Sequence, residues 1–126
     1  MPFNEPFRAV CFVKQLDHLL ADKYPQSRGE VEAVLKSIIA NPRQGDWIPG
    51  FPVQQVRKLR IGLKKHHISK QDGLRLIWLF DEPNKWILFI AIYSKKECNN
   101  KLGIQTMIKA NLSSIMSQIN QNDLSK

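Results

Sequence analysis

The sequence predicts an α+β domain: a mostly antiparallel sheet with two N-terminal helices and a C-terminal helix, in the order β-αα-βββ-α, the helices packed on one face of the sheet. Three observations predict it. Val56 to Tyr93 holds three apolar, β-rich runs separated by two polar connections. Two stretches before it and one after it repeat apolar residues every three or four positions. No internal repeat or long linker divides the 126 residues, so residues 1–126 are expected to form one domain.

Phe7 to Phe12 (FRAVCF) is rich in β-branched and aromatic residues and reads as a first or edge strand. From Val13 the period changes: Val13, Leu16, Leu19 and Leu20 fall on one side of a helix that Pro25 ends. Ser27, with Glu30 three residues on, forms the signature of a capping box, in which each side chain bonds the other's backbone N–H. The second helix is expected from about Arg28 to Ala40, with Val31, Val34, Leu35, Ile38 and Ile39 as its buried stripe. Asn41-Pro42 stops it, because the residue before proline avoids helical geometry.

Three prolines and two glycines in Asn41 to Pro52 break regular structure. The loop is expected to be ordered by Trp47, Ile48 and Phe51 tucking beneath it, and Trp47, Trp78 and Trp86 are all expected in the core. The three strands follow, with a basic loop from Gly62 to Asp72 between the first two and a turn at residues 81–85 between the second and third. Ile104, Met107, Ile108, Leu112, Ile115, Met116 and Ile119 then mark a helix from Gly103 to near Asn120.

Charge is concentrated rather than spread. The chain carries +8 at neutral pH, and the segment from Val56 to Arg75 holds seven bases (Arg57, Lys58, Arg60, Lys64, Lys65, Lys70 and Arg75) against one acid, Asp72. Side chains alternate between faces along a strand, so Lys58 and Arg60 share one face of the first run while Leu59 and Ile61 take the other. In the second run Leu74, Leu76, Trp78 and Phe80 point one way and Arg75 the opposite way. Adjacent strands can therefore set Lys58, Arg60 and Arg75 on one surface. A strand cation beside a loop also serves as an aggregation-blocking charge, which is the competing reading for each of the three.

A basic balance of this size admits nucleic acid, an acidic membrane surface or an acidic protein as partner. Membrane is the weakest of these, since the charge sits on strands and their loop rather than along an amphipathic helix. Trp86 to Tyr93, the longest apolar run, is far short of the roughly 20 residues of a spanning helix. Cys11 and Cys98 have no paired spacing and read as free thiols of a cytoplasmic protein. Adjacent His66 and His67 have no partner at ligand spacing, so no metal site is expected, and the chain has neither a P-loop nor a GxGxxG, so no cofactor is expected.

Four words of the sequence, in order, carry a resemblance: NPRQGDWIPG at Asn41 to Gly50, VRKLRI at Val56 to Ile61, GLRLIWLF at Gly73 to Phe80 and IAIYSKKE at Ile90 to Glu97. With them the chain resembles the RelE/HigB branch of the RelE/ParE superfamily, the toxins of type II toxin-antitoxin pairs. The resemblance implies a RelE-like fold and an endoribonuclease that cleaves messenger RNA on the ribosome without metal, controlled by a cognate antitoxin protein. Attack of a ribose 2'-OH on the adjacent phosphate builds up a dianionic phosphorane, which clustered Lys and Arg stabilise as preorganised charge. Neighbouring cations also make a lysine's neutral form more available as a base.

Carried over by position, Lys58 and Arg60 match the basic positions of the family's KLR-type strand, and Arg75 its phosphate-binding arginine. Lys95 and Lys96 match the basic pair after the last strand; these five are the candidate catalytic residues. Lys64, Lys65 and Lys70 are the candidate RNA contacts. Val56 stands where the family pattern has a further lysine and Leu102 near where it has a tyrosine, which leaves acid–base roles unassigned. Two other readings share the fold: a ParE-like, non-enzymatic toxin that binds DNA gyrase, and an RNA-binding domain that has lost turnover.

Overall fold

The computed structural model describes residues 7–8, 10–48, 55–82, 86–97 and 101–124. Along the chain these form β1 (Phe7–Arg8), α1 (Val10–His18) continuing into a π-helical turn (Leu19–Lys23), α2 (Arg28–Ala40) and β2 (Asp46–Trp47). Then come β3 (Gln55–Ile61), a 3-10 turn (Lys64–His66), β4 (Leu74–Asp81), β5 (Trp86–Ser94) and α3 (Lys101–Leu124). The sheet order is β1-β5-β4-β3-β2, in which β2 to β5 are antiparallel neighbours and β1 runs parallel to β5. The class is α+β, as the sequence predicts. The order differs, because four antiparallel strands rather than three follow the first two helices.

The extra strand is β2, in the stretch that three prolines and two glycines marked as irregular. It is two residues long, pairing Asp46 with Lys58 and Trp47 with Arg57. Gly45 makes the entry possible: its φ is +84°, and a Cβ there would stand 2.7 Å from both the Lys58 carbonyl oxygen and the Trp78 ring. Over residues 41–48 the loop is held in place, but not by Trp47. Trp78, fully buried, donates its indole N–H to the Pro42 carbonyl at 3.1 Å, and Arg57 holds the carbonyls of Arg43 at 2.6 Å and Gly45 at 3.4 Å. Trp78 is fully buried in the core and Trp86, half-buried, packs against it, whereas Trp47 is 60% exposed.

The N-terminal segment also departs from expectation. Only Phe7 and Arg8 are in a strand, and α1 begins at Val10, three residues before the predicted start. Packing gives the reason: Phe12, Leu16, Leu19 and Leu20 form the buried stripe, while Val13 lies outside it, 37% exposed. Starting early seats Phe12, whose ring stacks on Phe89 of β5 with centroids 5.6 Å apart. At the other end Tyr24 N–H reaches the Leu19 carbonyl at 2.7 Å, five residues back, and within this widened turn Leu19 and Leu20 are both buried.

α2 has the predicted bounds. Val31, Leu35 and Ile38 are buried, with Val34 and Ile39 half-buried beside them. The capping box is not made: Ser27 caps no N–H, its buried Oγ has no partner among the described residues, and the Glu30 carboxylate is used elsewhere. Arg8 of β1 pairs with Glu32 through both guanidinium ends, at 3.1 and 2.9 Å, tying the sheet edge to α2.

Leu74 to Phe80 of β4 are buried without a break, as are Ile87 to Ser94 of β5, so the central strands are covered on both faces rather than one. A bulge adapts β5 to its helices. Consecutive Ile77 and Trp78 pair with Ala91 and Phe89, which leaves Ile90 as the extra residue. The Ile90 carbonyl accepts a hydrogen bond from Asn111 of α3 at 3.0 Å and from the Cys11 thiol of α1 at 3.8 Å. Gln15 joins the two helices to the strand, accepting from Ile92 N–H at 3.1 Å and donating to the Met107 sulfur at 3.6 Å. In α3 Ile108 and Leu112 are buried and Ile104 and Met107 half-buried, as its stripe predicts.

Phe51, Cys98 and the turn at 83–85 lie outside the described residues, as do the side chains of Leu102, Ile115, Met116 and Ile119. Among the described residues no helix is long and apolar enough to cross a membrane.

Candidate nucleic-acid interface

Directly opposed residues of an antiparallel ladder share a face. Arg60 of β3 is opposite Arg75 of β4, and Arg75 is opposite Tyr93 of β5, so these three form one row across the sheet. Lys58 lies two residues along β3 on the same face, opposite Ile77 on one side and Asp46 on the other. The strand alternation therefore does place Lys58, Arg60 and Arg75 on a common face of the sheet.

Burial separates them. Arg60 is exposed and Lys58 half-buried, and neither has an ion-pair partner among the described residues. Arg75 is only 9% exposed and its guanidinium is turned into the loop before it: Nη2 donates to the Gln71 carbonyl at 2.7 Å, and Nη1 to those of Lys70 and Gly73 at 3.3 Å. Burial lowers the Arg75 pKa, and the charge of Arg60 lowers it further, while Tyr93 and Asp72 act in the opposite sense. An arginine so placed is still a cation.

Arg57, counted with the basic cluster on sequence, faces the other way. It is 8% exposed, holds the 43–45 loop and lies with its guanidinium 5.3 Å from the Trp47 ring centroid. Burial and the charge of Arg43 lower its pKa. Its neighbours on the sheet are apolar, and its role is architectural.

The basic loop begins at the 3-10 turn. Here Glu30 of α2 reaches across: its two carboxylate oxygens accept the backbone N–H groups of Lys64 and Lys65 at 2.9 and 3.0 Å. This contact holds the loop against the helix and leaves the lysine side chains exposed. A groove of about 370 Å³ runs along the edge of β3 where β2 has ended, lined by Arg60, Lys64, Lys70, Glu30, Gln44 and Leu59. Lys65 is exposed beside it. His66 packs edge-on against Tyr24 with centroids 5.4 Å apart, and His67 takes a left-handed conformation at φ 55°. Among the described residues no three His, Cys, Asp or Glu side chains gather as metal ligands.

Beyond β5, Lys95 closes the same end of the sheet. Its backbone N–H donates to the Gly73 carbonyl at 3.2 Å and its ammonium stands 3.6 Å from Asp72, so Lys95 braces the loop that Arg75 holds. Lys96 is exposed. Glu97 turns back to cap Ser94, accepting from its N–H at 3.3 Å and its hydroxyl at 3.0 Å, and pairs with Lys23 and His18 at 3.4 Å each. Burial opposes ionisation of Glu97, but the Ser94 donors and Lys23 outweigh it, leaving the pKa below its ordinary value.

The structure thus brings together Arg60, Arg75, Lys64, Lys70 and Lys95 at one end of the sheet, with Lys58 further along the face. It adds one residue that sequence reasoning did not assign to the site, Glu30, which was hidden because Ser-x-x-Glu also spells a capping box. No family model matches the chain, and no curated protein matches it.

Proposed function

We propose that the chain is a RelE/HigB-like toxin of a type II toxin-antitoxin system, an endoribonuclease that cuts messenger RNA on the ribosome through 2'-OH attack. The observation that carries this reading is Arg60 directly opposite Arg75. Like charges facing each other across two strands are unfavourable by roughly 0.2–1 kcal/mol. An anion bound against them reverses the sign of that interaction, and a phosphodiester flanked by Lys64 and Lys70 is an anion that uses the whole groove.

In this reading Arg60 meets the non-bridging oxygens of the scissile phosphate, where charge grows as the 2'-oxygen bonds to phosphorus. Arg75 acts as a positioning residue: it fixes the 70–73 loop and adds its charge from below. Lys58, Lys95 and Lys96 extend the positive field over neighbouring phosphates, and Lys64, Lys65 and Lys70 hold the strand. The 2'-OH loses its proton, the bond from phosphorus to the 5'-oxygen breaks and that oxygen takes a proton, giving a 2',3'-cyclic phosphate and a 5'-hydroxyl. Guanidinium and ammonium groups supply the charge stabilisation, so no metal is required by the scheme, and an antitoxin must cover this surface in the resting cell.

The test is induced expression followed by mapping of cellular RNA 5' ends. New 5'-hydroxyl ends inside reading frames, lost in Arg60→Ala at equal soluble expression, are the expected result. Growth arrest without new ends, accompanied by gyrase inhibition, would replace the nuclease reading with the ParE-like one.

A further inference from the structure

We infer that Trp47 is a stacking platform for an unpaired base of single-stranded RNA, at the end of the basic groove. The inference rests on the RNA reading above and adds a subsite to it.

Trp47 is the one large aromatic among the described residues that is mostly exposed, at 60%, whereas Trp78 is fully buried. Leaving an indole in water forgoes much of the stabilisation that burying it brings. The exposed indole stands on a strand residue. Trp47 is in β2, in register with Arg57, and the Arg57 guanidinium lies 5.3 Å from its ring centroid. Arg57 is itself buried and anchored on the carbonyls of Arg43 and Gly45, so one side of the indole rests on a fixed cation. A cation beneath an aromatic ring is a favourable contact that restrains the ring while leaving its other side open.

Position supplies the rest. Gln44, three residues before Trp47, lines the groove together with Arg60, Lys64 and Lys70. Along β3, Arg57, which is opposite Trp47, shares its face with Leu59 and Ile61, and these two line the groove; Arg60 belongs to the other face and meets the groove at the edge of the strand. One edge of the sheet therefore carries cations for a sugar-phosphate backbone and, next to them, a rigid aromatic surface. That pairing is how single-stranded nucleic acids are bound without sequence readout, since every base has a π-face. A charged groove alone would hold duplex or polyphosphate equally well; the indole favours a strand whose bases are unstacked.

The test uses the full chain and an oligoribonucleotide 2'-O-methylated throughout, so that it cannot be cut by 2'-OH attack, alongside an abasic oligomer of the same length and charge. Trp47→Ala should weaken binding of the base-containing strand by about 5- to 100-fold, the range for losing one stacked base. Trp47→Phe should recover most of that loss and Trp47→Leu little of it. All three variants should bind the abasic strand as the parent does, and the base-containing strand should quench the parent's tryptophan fluorescence. If the parent binds both strands and Trp47→Ala binds them equally well, the platform is wrong and the basic groove stands. Equal loss on both strands would likewise overturn stacking. If the parent binds neither strand, the RNA reading fails and the platform with it.

Discussion

Arg60 and Arg75 face each other across β3 and β4, yet one is exposed and the other is 9% exposed with its guanidinium donating to three loop carbonyls. One row of the sheet thus holds a cation available to a ligand and a cation committed to the loop that shapes the site. Substitutions at the two positions should behave differently, although a sequence comparison would score them alike.

Arg60→Ala should leave stability within about 0.5 kcal/mol of the parent, as for other exposed positions. Activity should fall roughly 10²- to 10³-fold, the cost of losing one preorganised charge at a developing anion. Chemical denaturation and a cleavage assay on the same preparation check both halves.

Arg75→Ala should lose activity and stability together. Its carbonyl partners are left without their charged donor, a loss of about 2 kcal/mol or more, and Arg75→Lys should restore the charge but not the spread of bonds. A thermal midpoint for Arg75→Ala equal to that of Arg60→Ala would show that the loop does not depend on this arginine.

Glu30→Gln removes the carboxylate that accepts both the Lys64 and Lys65 N–H groups. The expected cost is about 1.5 to 3 kcal/mol. Amide exchange should speed up at Lys64 and Lys65 before it does in β4, and binding of RNA should lose affinity without losing its salt dependence, because the lysine charges remain.

The salt dependence itself belongs to Lys64, Lys65 and Lys70. On a single strand the log-log slope should be roughly −0.7 per neutralised phosphate, so replacing all three lysines by glutamine should flatten it. A parent protein whose binding ignores salt would contradict a phosphate-lined path.

Acid should destabilise the fold through two carboxylates. The Arg8 hydrogen bond lowers the Glu32 pKa, against an opposing effect of burial; for Glu97 burial is the larger single influence and raises it, but the Ser94 donors and Lys23 together prevail. Both folded-state values lie below the ordinary 4.5. Their contribution is therefore complete above that pH and is lost as pH falls through the folded values. Glu32→Gln and Glu97→Gln should each be less stable than the parent at neutral pH and converge on it in acid, which a denaturation series across pH would record.

Much of this architecture is legible in the sequence, and the failures have physical causes. The bounds of α2 follow from its apolar period and from Asn41-Pro42, both local signals. Strand alternation puts Lys58, Arg60 and Arg75 on one face, but only the ladder sets Arg60 against Arg75 rather than against a neighbour two residues away. Register is a property of two strands, and no single run encodes it. β2 is invisible because two residues have no period, and its existence depends on Gly45 and on Arg57 of the neighbouring strand β3. Arg57 reads as one more surface cation until the carbonyls it holds are in place. The early start of α1 is a tertiary choice, made by the place Phe12 finds on Phe89.

The most direct measurement of the central claim is cleavage on ribosomes programmed with a defined message, comparing an all-ribose codon in the A site with one carrying a single 2'-deoxy substitution at the scissile nucleotide. The account predicts that the parent protein cuts the ribose message to leave a 5'-hydroxyl fragment, that the deoxy substitution blocks the cut, and that Arg60→Ala slows it roughly 10²- to 10³-fold. A message that stays intact on every ribosome, or one cut equally well at the deoxy position, would contradict it.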